Sequence, residues 1–213
     1  MIKAVIFDFD GVLAESADIK TEAFAELFAD YPDHVDEIVA YHKRNMGISR
    51  FVKFRYFYER ILGKELLREE EVALGERFSR IVLEKILAAP LVPGTVDFLE
   101  GHHQKMLLFI ASGTPQTELD GIVRARGLAK YFKEIHGSPR KKDEIINGIL
   151  SDHDLRPEQT VFVGDAESDL KASQATGVYF VARTFLGQGD LSACPFQIRD
   201  LRGLDEAIKN LNG

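Results

Sequence analysis

Ile6-Phe7-Asp8-Phe9-Asp10-Gly11-Val12-Leu13 is the stretch on which the fold turns. It closes an apolar run, residues 3–7, that has no alternation of polar and apolar positions, as a strand buried on both faces requires. Two acids follow at once, with Gly11 behind them to let the backbone turn sharply. If extended geometry persists, Asp8 and Asp10 point the same way, because strand side chains alternate. Carboxylates that close repel, and one of them gains proton affinity unless a cation intervenes. Acids after a strand also form turns and cap helices, so the pair takes its meaning from what shares its place in the sheet.

Similar short runs recur at residues 106–111, 160–163 and 178–182, with a weaker one around Ile135. Helical patterns lie between them. Leu119, Ile122 and Val123 share a face after Pro115, and Ile145, Ile146, Ile149 and Leu150 share one after Asp143. Alternating strands and helices predict an α/β fold with a doubly wound, Rossmann-like parallel sheet. Ligands of such sheets sit beyond the carboxyl ends of the strands. The alternation stops between residues 15 and 89, where no strand is legible. Ile19, Ala23, Phe24, Leu27 and Phe28 fall on one helical face, and further helices are expected over about 33–45, 49–62 and 68–87. Phe51, Phe54, Tyr58, Ile61 and Leu62 form a stripe at helical spacing, read as core. The predicted organisation is an α/β core of residues 1–14 and 90–213 carrying a helical-bundle cap, residues 15–89.

Composition narrows the functions. A length of 213 residues suits one core plus an insert, and 45% apolar with 29% charged residues is an ordinary globular balance. The net charge of −7 argues against a nucleic-acid partner, and Arg50, Lys53 and Arg55 beside the aromatic stripe do not reverse that. No apolar run approaches the ~20 residues of a membrane span. Acid enters the opening stretch too early for a signal peptide, so a cytoplasmic protein is expected. Cys194 stands alone, which excludes an intrachain disulfide and a cysteine metal cluster. The His102-His103 pair reads as a solvated turn, and Gly187-Gln188-Gly189-Asp190 as a loop.

Three further motifs stand at expected strand ends. Ala111-Ser112-Gly113-Thr114-Pro115 places Ser112 just before a helix that Pro115 opens and Thr114 can cap, a setting suited to phosphate. Arg140-Lys141-Lys142-Asp143 offers a lysine that can project over the strand ends. Val163-Gly164-Asp165-Ala166-Glu167-Ser168-Asp169 adds more carboxylates. Several carboxylates without bulk solvation call for a hard cation with oxygen ligands, most simply Mg²⁺. One sheet would gather all four motifs.

From Ile6–Leu13 to Leu170 the chain resembles the haloacid dehalogenase-like superfamily of phosphatases, in the branch of phosphoglycolate phosphatase and β-phosphoglucomutase with a helical cap. The resemblance implies hydrolysis of a small phosphorylated metabolite through an aspartyl-phosphate, by a monomer or small homo-oligomer. It implies Asp8 as nucleophile and Asp10 as general acid/base, and Ser112, Gly113 and a lysine as phosphate binders. It also implies that Asp8, Asp10 (through its carbonyl), Asp165 and Asp169 serve the metal. The lysine is taken as Lys142, immediately before the helix, with Lys141 the alternative. The superfamily's dehalogenases lack the acid found here as Asp10, so dehalogenation is disfavoured. Asn45-Met46-Gly47-Ile48-Ser49-Arg50 is similar to the cap loop of sugar phosphomutases. There Ser49 can cap a helix, and Arg50 faces either a distal phosphate or a nearby acid. A phosphomutase and a phosphoryl-accepting regulatory domain are the rival readings.

Overall fold

The computed structural model describes residues 1–184 and 191–211. The glycine-rich loop 187–190 lies outside them. Strand β1, Ala4–Phe7, is wholly buried, and its side chains alternate between two cores. Val5 and Phe7 enter one apolar cluster while Ala4 and Ile6 enter the other. That division is what an apolar run without polar alternation encodes.

Helices α1 (Ala17–Leu27), α2 (Val35–Arg44), α3 (Arg50–Tyr56) and α4 (Arg68–Ala88) then interrupt the sheet. Between α3 and α4 the chain continues as a π-helical segment, Phe57–Leu62. Its wider turn shifts the helical phase. Phe57, which the predicted stripe leaves out, stands three residues after Phe54 on the same face and is buried with Phe54 and Tyr58, whereas Phe51, Ile61 and Leu62 are only half-buried. Phe57 meets Phe24 edge-on at 5.6 Å and Phe28 at 5.3 Å.

The remainder runs through α5 (Thr95–His102), β2 (Leu107–Pro115), α6 (Gln116–Ala125), β3 (Glu134–Ser138) and α7 (Lys142–Asp152). It ends with β4 (Thr160–Gly164), α8 (Glu167–Thr176), β5 (Tyr179–Arg183), β6 (Gln197–Ile198) and α9 (Leu204–Leu211). The six-stranded sheet has the order β3-β2-β1-β4-β5-β6 and every pairing is parallel. The strand β6 has no counterpart in the sequence reading. Apolar residues of α5, α6 and α9 cover one face and those of α7 and α8 the other. His102 closes α5 instead of lying in a turn, and it stacks on Phe98.

Chain order reverses at β1, which lies between β2 and β4, with Phe7 level with Ile110 and Val163. The crevice beyond these three strand ends is where an open α/β sheet binds its ligand. The two connections to the helical insert run side by side at that edge. Glu15 N–H donates to the Pro90 carbonyl at 3.0 Å and Val92 N–H to the Leu13 carbonyl at 3.0 Å. No helix among the described residues is long and apolar enough to cross a membrane.

Candidate active site

Extended geometry does not persist past β1. The chain bends at Phe9, and the N–H groups of Leu13 and Ala14 return to the Phe9 carbonyl. Asp8 and Asp10 consequently meet different partners. Asp8 is buried; one of its oxygens accepts the Phe9 N–H at 2.7 Å and the other accepts from Lys142 Nζ at 2.8 Å. Burial outweighs that ammonium and pushes the Asp8 carboxyl up to about 6. Asp10 accepts from Ser16 Oγ at 2.6 Å, from Thr114 Oγ1 at 3.0 Å and from Lys20 Nζ. Burial pushes its carboxyl up as well, but Lys20 and the two hydroxyls prevail and hold it below the ordinary range. The repulsion expected between the two acids is thus resolved by one cation for each.

Gly11, at φ +76°, has no room for a side chain, since a Cβ there would overlap Asp165 Oδ2. The Gly11 carbonyl accepts from Arg183 Nη1 at 2.7 Å, and the same guanidinium grips Glu15 with both terminal nitrogens. An arginine at the end of β5 therefore ties down the loop that carries Asp10.

Strand β2 extends four residues beyond the predicted run. Its pairing with β3 is irregular between Ala111 and Pro115, and that irregular stretch carries Ser112, Gly113 and Thr114. Ser112 is buried, and its Oγ accepts the Thr114 N–H at 3.2 Å. Thr114 does not cap α6; its hydroxyl serves Asp10 and Lys20.

Lys142, the first residue of α7, is the lysine that reaches the site, bridging Asp8 and Asp169. Burial pushes its ammonium toward neutrality, but the two carboxylates raise it above its ordinary value. Lys141 is exposed. Asp169 spends one oxygen on Lys142, while the other accepts the N–H groups of Asp165 and Ala166 at 3.2 Å each. Gly164 permits that packing, because a Cβ there would meet the Asp169 side chain.

Asp165 is different. Its Oδ2 is buried with no partner among the described residues, and burial followed by the Asp8 charge drives its carboxyl well above the ordinary range. Asp8, Asp165 and Asp169 each offer an oxygen within 4.8 Å of the others, so they could hold a metal ion. Hard oxygen donors with one orphaned atom fit a small divalent cation, which would satisfy Asp165 and let Asp8 remain ionised. Asp10 does not join this cluster with its carboxylate.

The helical insert closes the crevice from above. Met46 accepts a hydrogen bond from Ser168 Oγ at 2.8 Å, and the Gly47 carbonyl sits where a Cβ of Gly113 would go. One cavity is lined by Asp8, Asp10, Ser112, Gly113 and Asp165 from the sheet and by Lys20, Arg50 and Lys53 from the insert. Ser49 makes no side-chain cap on α3. Arg50 is buried, and its anionic partner is Glu118 of α6 at 2.5 Å, with Ser79 Oγ at 2.8 Å. Sequence reasoning missed Lys20 and Lys53 as cavity residues and Ser16 as a partner of Asp10. Lys53 lies on α3, far from the strand ends in the chain, and the closure of the insert brings it there, whereas Ser16 and Lys20 follow Asp10 by six and ten positions and carry no motif.

The family model described as haloacid dehalogenase-like hydrolase matches residues 5–183. The chain is 27% identical to a phosphorylated carbohydrates phosphatase of Thermotoga maritima over 83% of this chain and 82% of that one. It is 26% identical to a phosphoglycolate phosphatase of Vibrio cholerae over 86% and 85%. Its fold is similar to a crystal structure of β-phosphoglucomutase from Clostridium difficile, with a TM-score of 0.79 and 19% identity over 99% and 97% of the two chains. With the match spanning the sheet and the insert alike, the chain belongs to the haloacid dehalogenase-like hydrolases.

Proposed function

We propose that the protein is a Mg²⁺-dependent phosphatase that hydrolyses a small phosphate monoester through an aspartyl-phosphate on Asp8. The observation that carries this reading is the contrast between two carboxylates of one loop. Asp8 is buried against Lys142 beside the carboxylate cluster, and Asp10 is held apart by Lys20, Ser16 and Thr114. One is placed to attack and the other to move protons. Residues 15–89 serve as the cap over them.

In the first half-reaction an Asp8 oxygen bonds to phosphorus as the ester P–O bond breaks, and Asp10 gives a proton to the departing alkoxide. In the second, Asp10 takes a proton from water as the water oxygen bonds to phosphorus and the bond to Asp8 breaks. Lys142 and Ser112 hold the phosphoryl oxygens, where charge concentrates during transfer. Asp8 and Asp165, with Asp169 bracing Lys142 and the loop behind them, would hold Mg²⁺, which would supply positive charge against the repulsion between Asp8 and the phosphoryl dianion. In the free site the Lys20 contact favours the carboxylate of Asp10, the form that accepts the proton of water. The proton that Asp10 donates in the first half-reaction is taken up from solvent as the phosphoryl dianion binds beside it. Closure of the cap excludes bulk water and completes the site.

Arg50, the residue a phosphomutase would use for a second phosphate by the resemblance of its loop, is occupied by Glu118. That occupation favours transfer to water. The test is turnover of phosphoglycolate, sugar phosphates and an aryl phosphate with Mg²⁺, run beside sugar 1-phosphate with catalytic bisphosphate. Release of free phosphate faster than isomerised sugar supports the reading. Isomerisation as the faster outcome, or a single labelling without turnover, overturns it.

A further inference from the structure

Arg50 and Lys53 are three residues apart on α3, hence on one face, and both line the cavity. Both are buried, at 5% and 2% exposure. Their charges are treated unequally. Arg50 has Glu118 as counter-ion and lies over the Phe78 ring at 4.5 Å. Lys53 has no carboxylate partner among the described residues. Its Nζ lies 2.9 Å from His42 Nδ1 and 5.5 Å from the centre of the Phe24 ring. The other ring nitrogen of His42 meets Thr21 Oγ1 at 3.1 Å. An ammonium at Lys53 donates to Nδ1, so His42 is neutral; it orients Lys53 and supplies no negative charge. Burial first, and then the charges of Lys20, Lys142 and Arg50, push the Lys53 ammonium well below its ordinary value, with Asp10 opposing them, so without an anion beside it the charged form is disfavoured.

A buried ammonium without a counter-ion is strongly disfavoured, and an aromatic face compensates only a part of that. Lys53 lies on α3 of the insert, whereas Asp8 and Ser112, which line the same cavity and are assigned above to the transferring phosphoryl group, lie at strand ends of the sheet. We infer that Lys53 is a specificity residue that pairs with a second anionic group of the substrate, a carboxylate or a phosphate carried at the end remote from Asp8. The inference rests on the phosphatase reading above. An uncharged tail would leave the ammonium as it is, and Arg50 is already neutralised, so the missing negative charge belongs at Lys53.

The test compares kcat/KM within two matched pairs of esters in the presence of Mg²⁺. The first pair is 2-phosphoglycolate against ethyl phosphate, and the second is glucose 1,6-bisphosphate against glucose 1-phosphate. Wild type is expected to prefer the anionic tail by at least about tenfold in one pair, and which pair responds identifies carboxylate or phosphate. That preference should fall at least about tenfold in Lys53→Met and largely return in Lys53→Arg. Without ligand, Lys53→Met should melt no lower than wild type, because it removes an uncompensated buried charge. A preference that survives Lys53→Met, or no preference in either pair, overturns the inference. Should Lys53→Met not fold, the wild-type preference alone decides. Turnover without preference removes only this inference, whereas no turnover of any ester removes the phosphatase reading and this inference together.

Discussion

Lys20 on α1 and Asp10 in the loop after β1 form an ion pair that joins the helical insert to the proposed proton carrier. Thr114 binds both, so three separate segments meet at one carboxylate. Because Lys20 is what most lowers the proton affinity of Asp10, removing its charge should raise it. Lys20→Met is expected to move the acidic limb of turnover to higher pH, since Asp10 must be ionised to accept the proton of water. A pH–rate profile checks this, and an unmoved limb would show that Lys20 does not set the state of Asp10.

Lys142 and Lys141 are adjacent, and only Lys142 reaches the carboxylates. Lys142→Met leaves Asp8 and Asp169 buried without their cation, which should lower stability by about 3–5 kcal/mol. Turnover should drop by about 10²–10³-fold with the loss of a phosphoryl-binding donor. Lys141→Met should stay within about twofold on both counts, as expected of an exposed side chain. Denaturant unfolding and steady-state kinetics of the two variants separate the outcomes.

Gly113 packs its Cα against the Gly47 carbonyl of the insert. Gly113→Ala would force that backbone off the sheet, displacing the cap by a fraction of its closed contact. We expect kcat/KM to fall by up to about 10²-fold, the scale of an ångström-sized misplacement. The melting temperature should change little, because the strain is relieved by opening the cap. A variant that melts far lower yet turns over normally would contradict the closure seen here.

His42 is held down at about 2 by burial and then by the Lys53 charge. The folded protein therefore refuses a proton that the unfolded chain accepts below pH about 6.5. For His42 the unfolded state then binds the extra proton, so its contribution lowers stability as pH drops below that value, by about 1.4 kcal/mol per unit, and is flat above it. The raised carboxyls of Asp8 and Asp165 act in the opposite sense. Denaturant unfolding between pH 5 and 8 should give a wild-type stability that falls relative to His42→Gln as pH drops below about 6.5, since the carboxyl contributions are common to both. Identical slopes would mean that His42 is protonated in the folded state.

The legible part of the molecule is the part encoded locally. Apolar runs without alternation announce β1 and β4, and the acids behind them announce the strand ends where Asp8 and Asp165 sit. The sequence pattern sets Lys142 at the start of a helix, and in the structure that lysine contacts Asp8 and Asp169. What the pattern could not show depends on phase or on distant closure. The π-helical segment widens the turn after Phe57 and leaves Ile61 and Leu62 half-buried, a shift that a fixed helical period misses. Thr114 and Ser49 look like caps by residue type, yet Thr114 is drawn to Asp10 and Lys20 and Ser49 caps nothing. The role of Arg50 turned on Glu118, which is 68 positions away and invisible to any local reading.

The most direct test of the account asks where the phosphoryl group goes. Enzyme mixed with substrate and Mg²⁺, then quenched in acid within the first turnover, should carry phosphate on the peptide that contains Asp8. The bound phosphate should be alkali-labile, as an acyl phosphate is, and should be absent from Asp8→Asn, which should also have lost turnover. Phosphate on another residue, or wild-type turnover by Asp8→Asn, would contradict the assignment of Asp8 as the nucleophile.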